Sequence, residues 1–468
     1  MNDLSNELIV LPPEVIKSQS TRILERYHFQ ATEARKRYEM HYQELLNRWD
    51  DKDKGIKILK SFSFIGAITL SGSELEGMAE SPLKKFVDAP SLHYENRYRY
   101  RMSYGKETDL RGEAYYQLFD RKQSPEERIN MSIESLGDLV KRLPQIQEYV
   151  LTTEKLSTSE LKVYLGYLDH LKIELLRFFH AQTHLRAGNK FVQKENQPEQ
   201  NITEQSLASV TEAYYSILDG KSIQKINIEQ DKLLSECEAV NLEIAKKRAG
   251  GESLDGIMRG LPEGDNPLFN KIYAIGLVKR LKEKGLGNLI LAGMHFGGIE
   301  LPWVIFQEIK YANLEKPEIL TVHYSRYTNK KEPQQDFWRI VDHLVDTQKN
   351  ILFLDDGVYS GSSLKAVMDL AKEVGFKNIE VSVALLANSR QLGRMLNTGG
   401  INPDFVDKML IDAIGVSPFF RTKTSEDYLE RKSKGLFNIV AERVRKMITE
   451  NYPRTLAISK DIFANVRK

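Results

Sequence analysis

From about residue 262 onward, short apolar runs alternate with amphipathic patterns, and this alternation limits the folds open to the chain. "LFNKIYAIGLVKRLKEKG" is followed by "NLILAG", "IELPWVIFQEIK", "EILTVHY", "NILFLDD", "LKAVMDLAKEVG" and "IEVSVALLA". The apolar runs have the length of buried strands, and the segments between them carry the helical period. Such repetition is the signature of βαβ units around a parallel sheet. The pattern predicts an α/β domain over residues 262–422, a mainly helical region over 1–261 and a helical tail over 423–468.

The first half reads differently. "PPEVIKSQSTRILERYHFQATEARKRYEMHYQELLNRW" is a long charged amphipathic pattern, and "SPEERINMSIESLGDLVKRLPQIQEYVL" opens on a helix start signal. Between them, Arg97, Tyr98, Arg99, Tyr100 and Arg101 alternate as in a strand with one basic and one aromatic face. Interleaved arginine and tyrosine suit single-stranded nucleic acid, through phosphate contacts and stacking. An ordinary amphipathic strand with packed tyrosines has the same pattern. "VQKENQPEQNITEQ", residues 192–205, lacks apolar periodicity and reads as a linker or surface loop. Gly250 and Gly251, after a basic turn, mark a helix end.

Composition narrows the function classes. Against 67 basic residues stand 65 acidic ones, a net charge of +2, so no global field draws the protein to nucleic acid or anionic lipid. The one cysteine, Cys237, excludes an internal disulfide and a zinc site built from several thiolates, and its helical surroundings suit a small apolar residue. Neither a signal peptide nor a membrane span is evident, so the expected location is cytoplasmic, without membrane partners.

The chemistry-bearing stretch is "NILFLDDGVYSGSSLKAVMDLA". An apolar run ends in Asp355 and Asp356, a glycine and serine loop follows, and a helical pattern begins. This loop therefore sits between the carboxyl end of a strand and the amino end of a helix, where open α/β sheets bind ligands and free N–H groups favour an anion. An isolated Asp-Asp pair is usually a solvated turn or a helix cap. Here the strand before it and the helix start after it favour a phosphate-sugar site.

"ILFLDDGVYSGSSL" resembles the PRPP-binding motif of the type I phosphoribosyltransferases, through Asp355, Asp356, Val358, Ser360, Gly361 and Ser363. Its texture is similar to that of the pyrimidine-operon regulators with uracil phosphoribosyltransferase activity, which share the tyrosine at Tyr359. Gly357 departs from the family, where an aliphatic residue is usual. "NLILAGMHFGGIELPWVIFQEI" resembles the family's pyrophosphate loop, with Gly293, Gly297 and Gly298 as the small residues and His295 and Phe296 at its tip. Relatives often carry a basic or small polar residue at that tip. His295 suits either a donor to the leaving group or an ordinary packed or solvated histidine. "HYSRYTNKKEPQQDFW" lies where the family has a mobile basic loop, with Tyr324, Arg326, Lys330 and Lys331 of the right type, although a solvated connection has the same composition. "VSVALLANSR" and "NPDFVDKMLIDAIGVSPFF" resemble the late strands and the segment leading to base recognition.

The resemblance covers about a third of the chain and implies a phosphoribosyltransferase-like fold and a magnesium-dependent transfer. A nitrogen nucleophile would displace pyrophosphate from the ribose of PRPP. Asp355 and Asp356 would hold the ribose hydroxyls and, through water, the magnesium ion. Tyr359, Ser360, Gly361, Ser362 and Ser363 would surround the ribose phosphate. Tyr359 stands where purine-salvage relatives have an aspartate, which argues against a purine acceptor. The competing expectation is a non-catalytic PRPP- or nucleotide-binding regulator, or a defence-type effector, whose helical half binds a protein partner or nucleic acid. Neither an acceptor nor an oligomeric state is specified by the residues.

Overall fold

The computed structural model describes residues 36–62, 68–84, 102–104, 107–109, 125–188, 202–250, 266–294, 298–322, 349–357 and 362–385. The chain divides into two compact units, one formed by His41–Leu354 with Val374–Ile379, the other by Met1–Met40, Asp355–Glu373 and Glu380–Lys468. The expected boundary near residue 261 and the tail over 423–468 lie outside the described residues, as does the Arg97–Arg101 alternation; a short strand, Met102–Tyr104, follows it directly.

The larger unit begins with helical residues 41–47 and helix α1 (Lys52–Leu59), whose first turn is capped by the Asp51 side chain accepting from Lys54 N at 2.9 Å. Strands β1 (Thr69–Ser71), β2 (Met102–Tyr104) and β3 (Glu107–Asp109) make a small antiparallel sheet in the order β1-β3-β2, and the short helix α2 (Gly72–Glu76) leaves β1 through a Ser71/Glu74 capping box.

Long helices follow: α3 (Pro125–Thr152), α4 (Thr158–Gly188), α5 (Ile202–Leu218) and α6 (Gln230–Ala249). Over residues 161–182 every side chain of α4 is buried, so this helix forms the axis around which α3, α5 and α6 pack. Pro144 sits inside α3 and lacks the N–H that would bond the Val140 carbonyl. Gln230 of α6 supplies the missing donor, with Nε2 2.9 Å from Val140 O. The expected linker over 192–205 is corrected at its end. Residues 202–205 open α5, where Ile202 and Thr203 are buried and Thr203 Oγ1 donates to Glu236 at 2.9 Å, so tertiary burial overrides the polar local composition.

Helix α7 (Pro267–Glu283), capped by Asn266 and begun by Pro267, leads to β4 (Leu289–Met294), α8 (Leu301–Tyr311) and β5 (Glu318–Val322). Strand β6 (Asn350–Gly357), helix α9 (Ser362–Val374) and β7 (Ile379–Leu385) follow. The four strands make a parallel sheet in the order β5-β4-β6-β7; β4 pairs with β5 from Ile290↔Glu318 to Met294↔Val322 and with β6 from Leu289↔Asn350 to Gly293↔Leu354. All six residues of β4 are buried, as expected for an interior parallel strand. Helix α8 packs on β4 and β5 and also against α5 and α7, so the helical half and these strands share one core. The chain is an α/β protein with a large helical complement.

Candidate functional site

Strand β6 carries the acidic pair. Ile351, Leu352, Phe353 and Leu354 are buried, the strand continues through Asp355 and Asp356 to Gly357, and α9 begins at Ser362. Asp355 is half-buried at this strand end. The Asp356 side chain, the loop residues Val358, Tyr359, Ser360 and Gly361, and the side chains of Ser362 and Ser363 lie outside the described residues.

The glycine turn after β4 is partly described. His295, Phe296 and Gly297 are outside the described residues, as are Tyr324, Arg326, Lys330 and Lys331, whereas Gly298, Ile299 and Glu300 form a buried turn into α8. Gly293 is required by that turn. A Cβ built on it would stand 2.7 Å from the Gly298 carbonyl oxygen and 2.7 Å from Pro302 Cγ, closer than real contacts allow. Only a residue without a side chain lets the turn fold back so tightly over the strand end. Because β4 and β6 pair in parallel as far as Gly293↔Leu354, both strands run toward the same edge of the sheet.

Sequence reasoning missed Glu300. This residue precedes α8 and is 2 % exposed, yet its carboxylate caps no helix N–H. Instead Oε1 accepts from Lys172 Nζ of α4 at 2.5 Å and from Tyr215 OH of α5 at 2.5 Å. Lys172, fully buried, also lies 3.3 Å from Asp169 and 4.5 Å from the centre of the Tyr214 ring. Burial, and then the Glu300 charge, push the Tyr215 hydroxyl well above its ordinary pKa, keeping it a proton donor. The available signal was a lysine inside an apolar helix, in "YLDHLKIELL", where an ionised side chain needs a partner.

A second buried group joins Arg48, Asp219, Lys271 and Glu308. Lys271 Nζ lies 2.8 Å from both Asp219 and Glu308, and Arg48 reaches the same two carboxylates. Two positive and two negative charges balance there, and the group ties the start of α7 and the later part of α8 to the chain just after α5 and to Arg48, which marks it as a structural tie. Burial alone would raise the Glu308 pKa, but Lys271 and Arg48 outweigh it and bring it down to about 2.

As for a metal, two carboxylates adjacent in sequence at a strand end suit magnesium, which keeps much of its water shell and shares ligand phosphates. Among the described residues no group of three or more His, Cys, Asp and Glu could hold a metal by itself. Among the described residues no helix is long and apolar enough to cross a membrane. No protein-family model matches the chain, and no curated protein matches it significantly.

Proposed function

We propose that the chain is a PRPP-dependent phosphoribosyltransferase that transfers the phosphoribosyl group with release of pyrophosphate. The observation that carries this reading is the course of β6: a buried apolar strand ends in Asp355 and Asp356, and a helix opens five residues beyond the strand, at Ser362. The strand order adds support. From β4 the chain moves to β5 on one side and returns to β6 on the other, so the order reverses between β4 and β6. In open α/β sheets, ligands bind outside the carboxyl ends of the strands at such a reversal.

In this reading Asp355 and Asp356 accept hydrogen bonds from the ribose hydroxyls and orient the anomeric carbon. Backbone N–H groups and hydroxyls of the Ser360–Ser363 loop hold the ribose phosphate at the start of α9, and Gly361 keeps side chains out of the way. The turn packed on Gly293 offers backbone donors to the diphosphate. Magnesium, when bound, neutralises the departing diphosphate. The positive charge that develops on the ribose as the leaving group departs is stabilised by the fixed carboxylates.

The experiment is to incubate the purified chain with PRPP, magnesium and candidate nitrogen acceptors, and to measure released pyrophosphate. Acceptor-dependent release supports the transferase. Tight PRPP binding without release with any acceptor supports the regulator or effector instead.

A further inference from the structure

The turn that the proposed function assigns to the diphosphate is tied to the helical half of the protein by one buried carboxylate. Glu300 ends the Gly298–Glu300 turn, and the hydrogen bonds to its carboxylate come from elsewhere: from Lys172 of α4 and Tyr215 of α5, each to Oε1. Its other oxygen, Oε2, is buried and accepts from no described residue. A carboxylate in such a place is held by its partners alone, because no water shell remains to compensate a lost one. The turn has little freedom on its other side, where Gly293 leaves room for the Gly298 carbonyl and nothing larger.

We infer that Lys172 and Tyr215 are positioning residues: acting through Glu300, they set the turn at the start of α8, so the helical half fixes the turn that the proposed function assigns to the diphosphate. This assignment rests on the proposed function for its ligand, but not for its structural content. It gives the helical region a role that a detachable partner-binding module would not have. Lys172 carries the compensating charge. Tyr215 fixes which way the carboxylate faces, since its donated hydrogen bond and that of Lys172 converge on one oxygen.

The test uses the full chain with Lys172→Met, Tyr215→Phe and the double variant Lys172→Met/Glu300→Gln. Calorimetry is run with PRPP and with ribose 5-phosphate, which lacks the diphosphate, and amide hydrogen exchange is followed over residues 298–301. Lys172→Met should weaken PRPP about tenfold or more while leaving ribose 5-phosphate unchanged, since removing one partner of a buried pair leaves the other charge unpaired. Exchange at 298–301 should quicken, and the double variant, which removes both charges, should recover much of both losses. Tyr215→Phe should move both readouts the same way by less, and it decides the matter if Lys172→Met does not fold. Equal losses for the two ligands, or unchanged exchange in a folded variant, would overturn the inference. If the wild type binds neither ligand, the phosphoribosyltransferase reading falls and the exchange measurement alone decides the anchoring.

Discussion

Arg48 and Glu308, 260 positions apart in sequence, meet in a bidentate pair of 2.9 and 2.6 Å inside the protein. Arg48 follows the helical residues 36–47, and Glu308 lies on α8, so this pair closes the helical region onto the helix that covers β4 and β5. Parallel forked bonds of this kind fix geometry as well as charge. Arg48→Met would leave two buried carboxylates sharing Lys271. A loss of about 3–5 kcal/mol is expected, read as a lower urea midpoint.

Glu308 also sets a pH dependence. Its pKa lies at about 2 in the folded protein against an ordinary 4.5, so the folded state favours the ionised form. The resulting stability is fully present above the ordinary value and is lost as pH falls toward 2. Urea denaturation across this range should show the wild type losing its advantage over Glu308→Gln as pH falls. An unchanged difference between pH 6 and the acid end, roughly pH 3, would contradict the assignment.

Gly293→Ala should disturb the turn directly. Its new methyl would meet the Gly298 carbonyl and Pro302 at 2.7 Å, and both belong to backbone or ring atoms that yield poorly. Overpacking of this kind costs about 1–3 kcal/mol, and the proposed function adds a selective loss of PRPP affinity over ribose 5-phosphate. Thermal unfolding and calorimetry of the same variant check the two effects separately.

Cys237 is buried on α6, and burial, with Glu236 and Glu238 nearby, pushes its thiol up to about 12. It should resist alkylation by iodoacetamide at about pH 8 in the native protein and react on unfolding in urea. Rapid labelling of the native chain would show that α6 opens locally.

Among the described residues, the strands and helices beyond residue 262 were legible because each carries its own period. "NLILAG" covers all of β4 but its last residue, after one residue that precedes the strand; "NILFLDD" lies within β6; and "LKAVMDLAKEVG" lies within α9 except for its final glycine. The acidic pair falls at its expected place, at the end of an interior strand. Two features were not legible. Residues 202–205 look like linker locally, and their helix is seen only in the tertiary fold, where Ile202 and Thr203 are buried and Thr203 donates to Glu236 of α6. The Lys172–Glu300 pair joins positions 128 apart, and no local pattern announces which buried lysine meets which carboxylate. Such charges are recognisable as needing partners, but the partners are a property of the tertiary fold.

The most direct test of the account is calorimetric titration of PRPP, with magnesium, into the wild type and into Asp355→Asn/Asp356→Asn. The double substitution keeps side-chain size and removes the charge that is proposed to hold the ribose and the metal's water shell. Each lost charged contact is worth about 1.5–3 kcal/mol, so the account predicts PRPP affinity at least about tenfold weaker in a variant whose circular dichroism and thermal unfolding match the wild type. Equal PRPP affinity in the folded double variant, or no PRPP binding by the wild type, would contradict it.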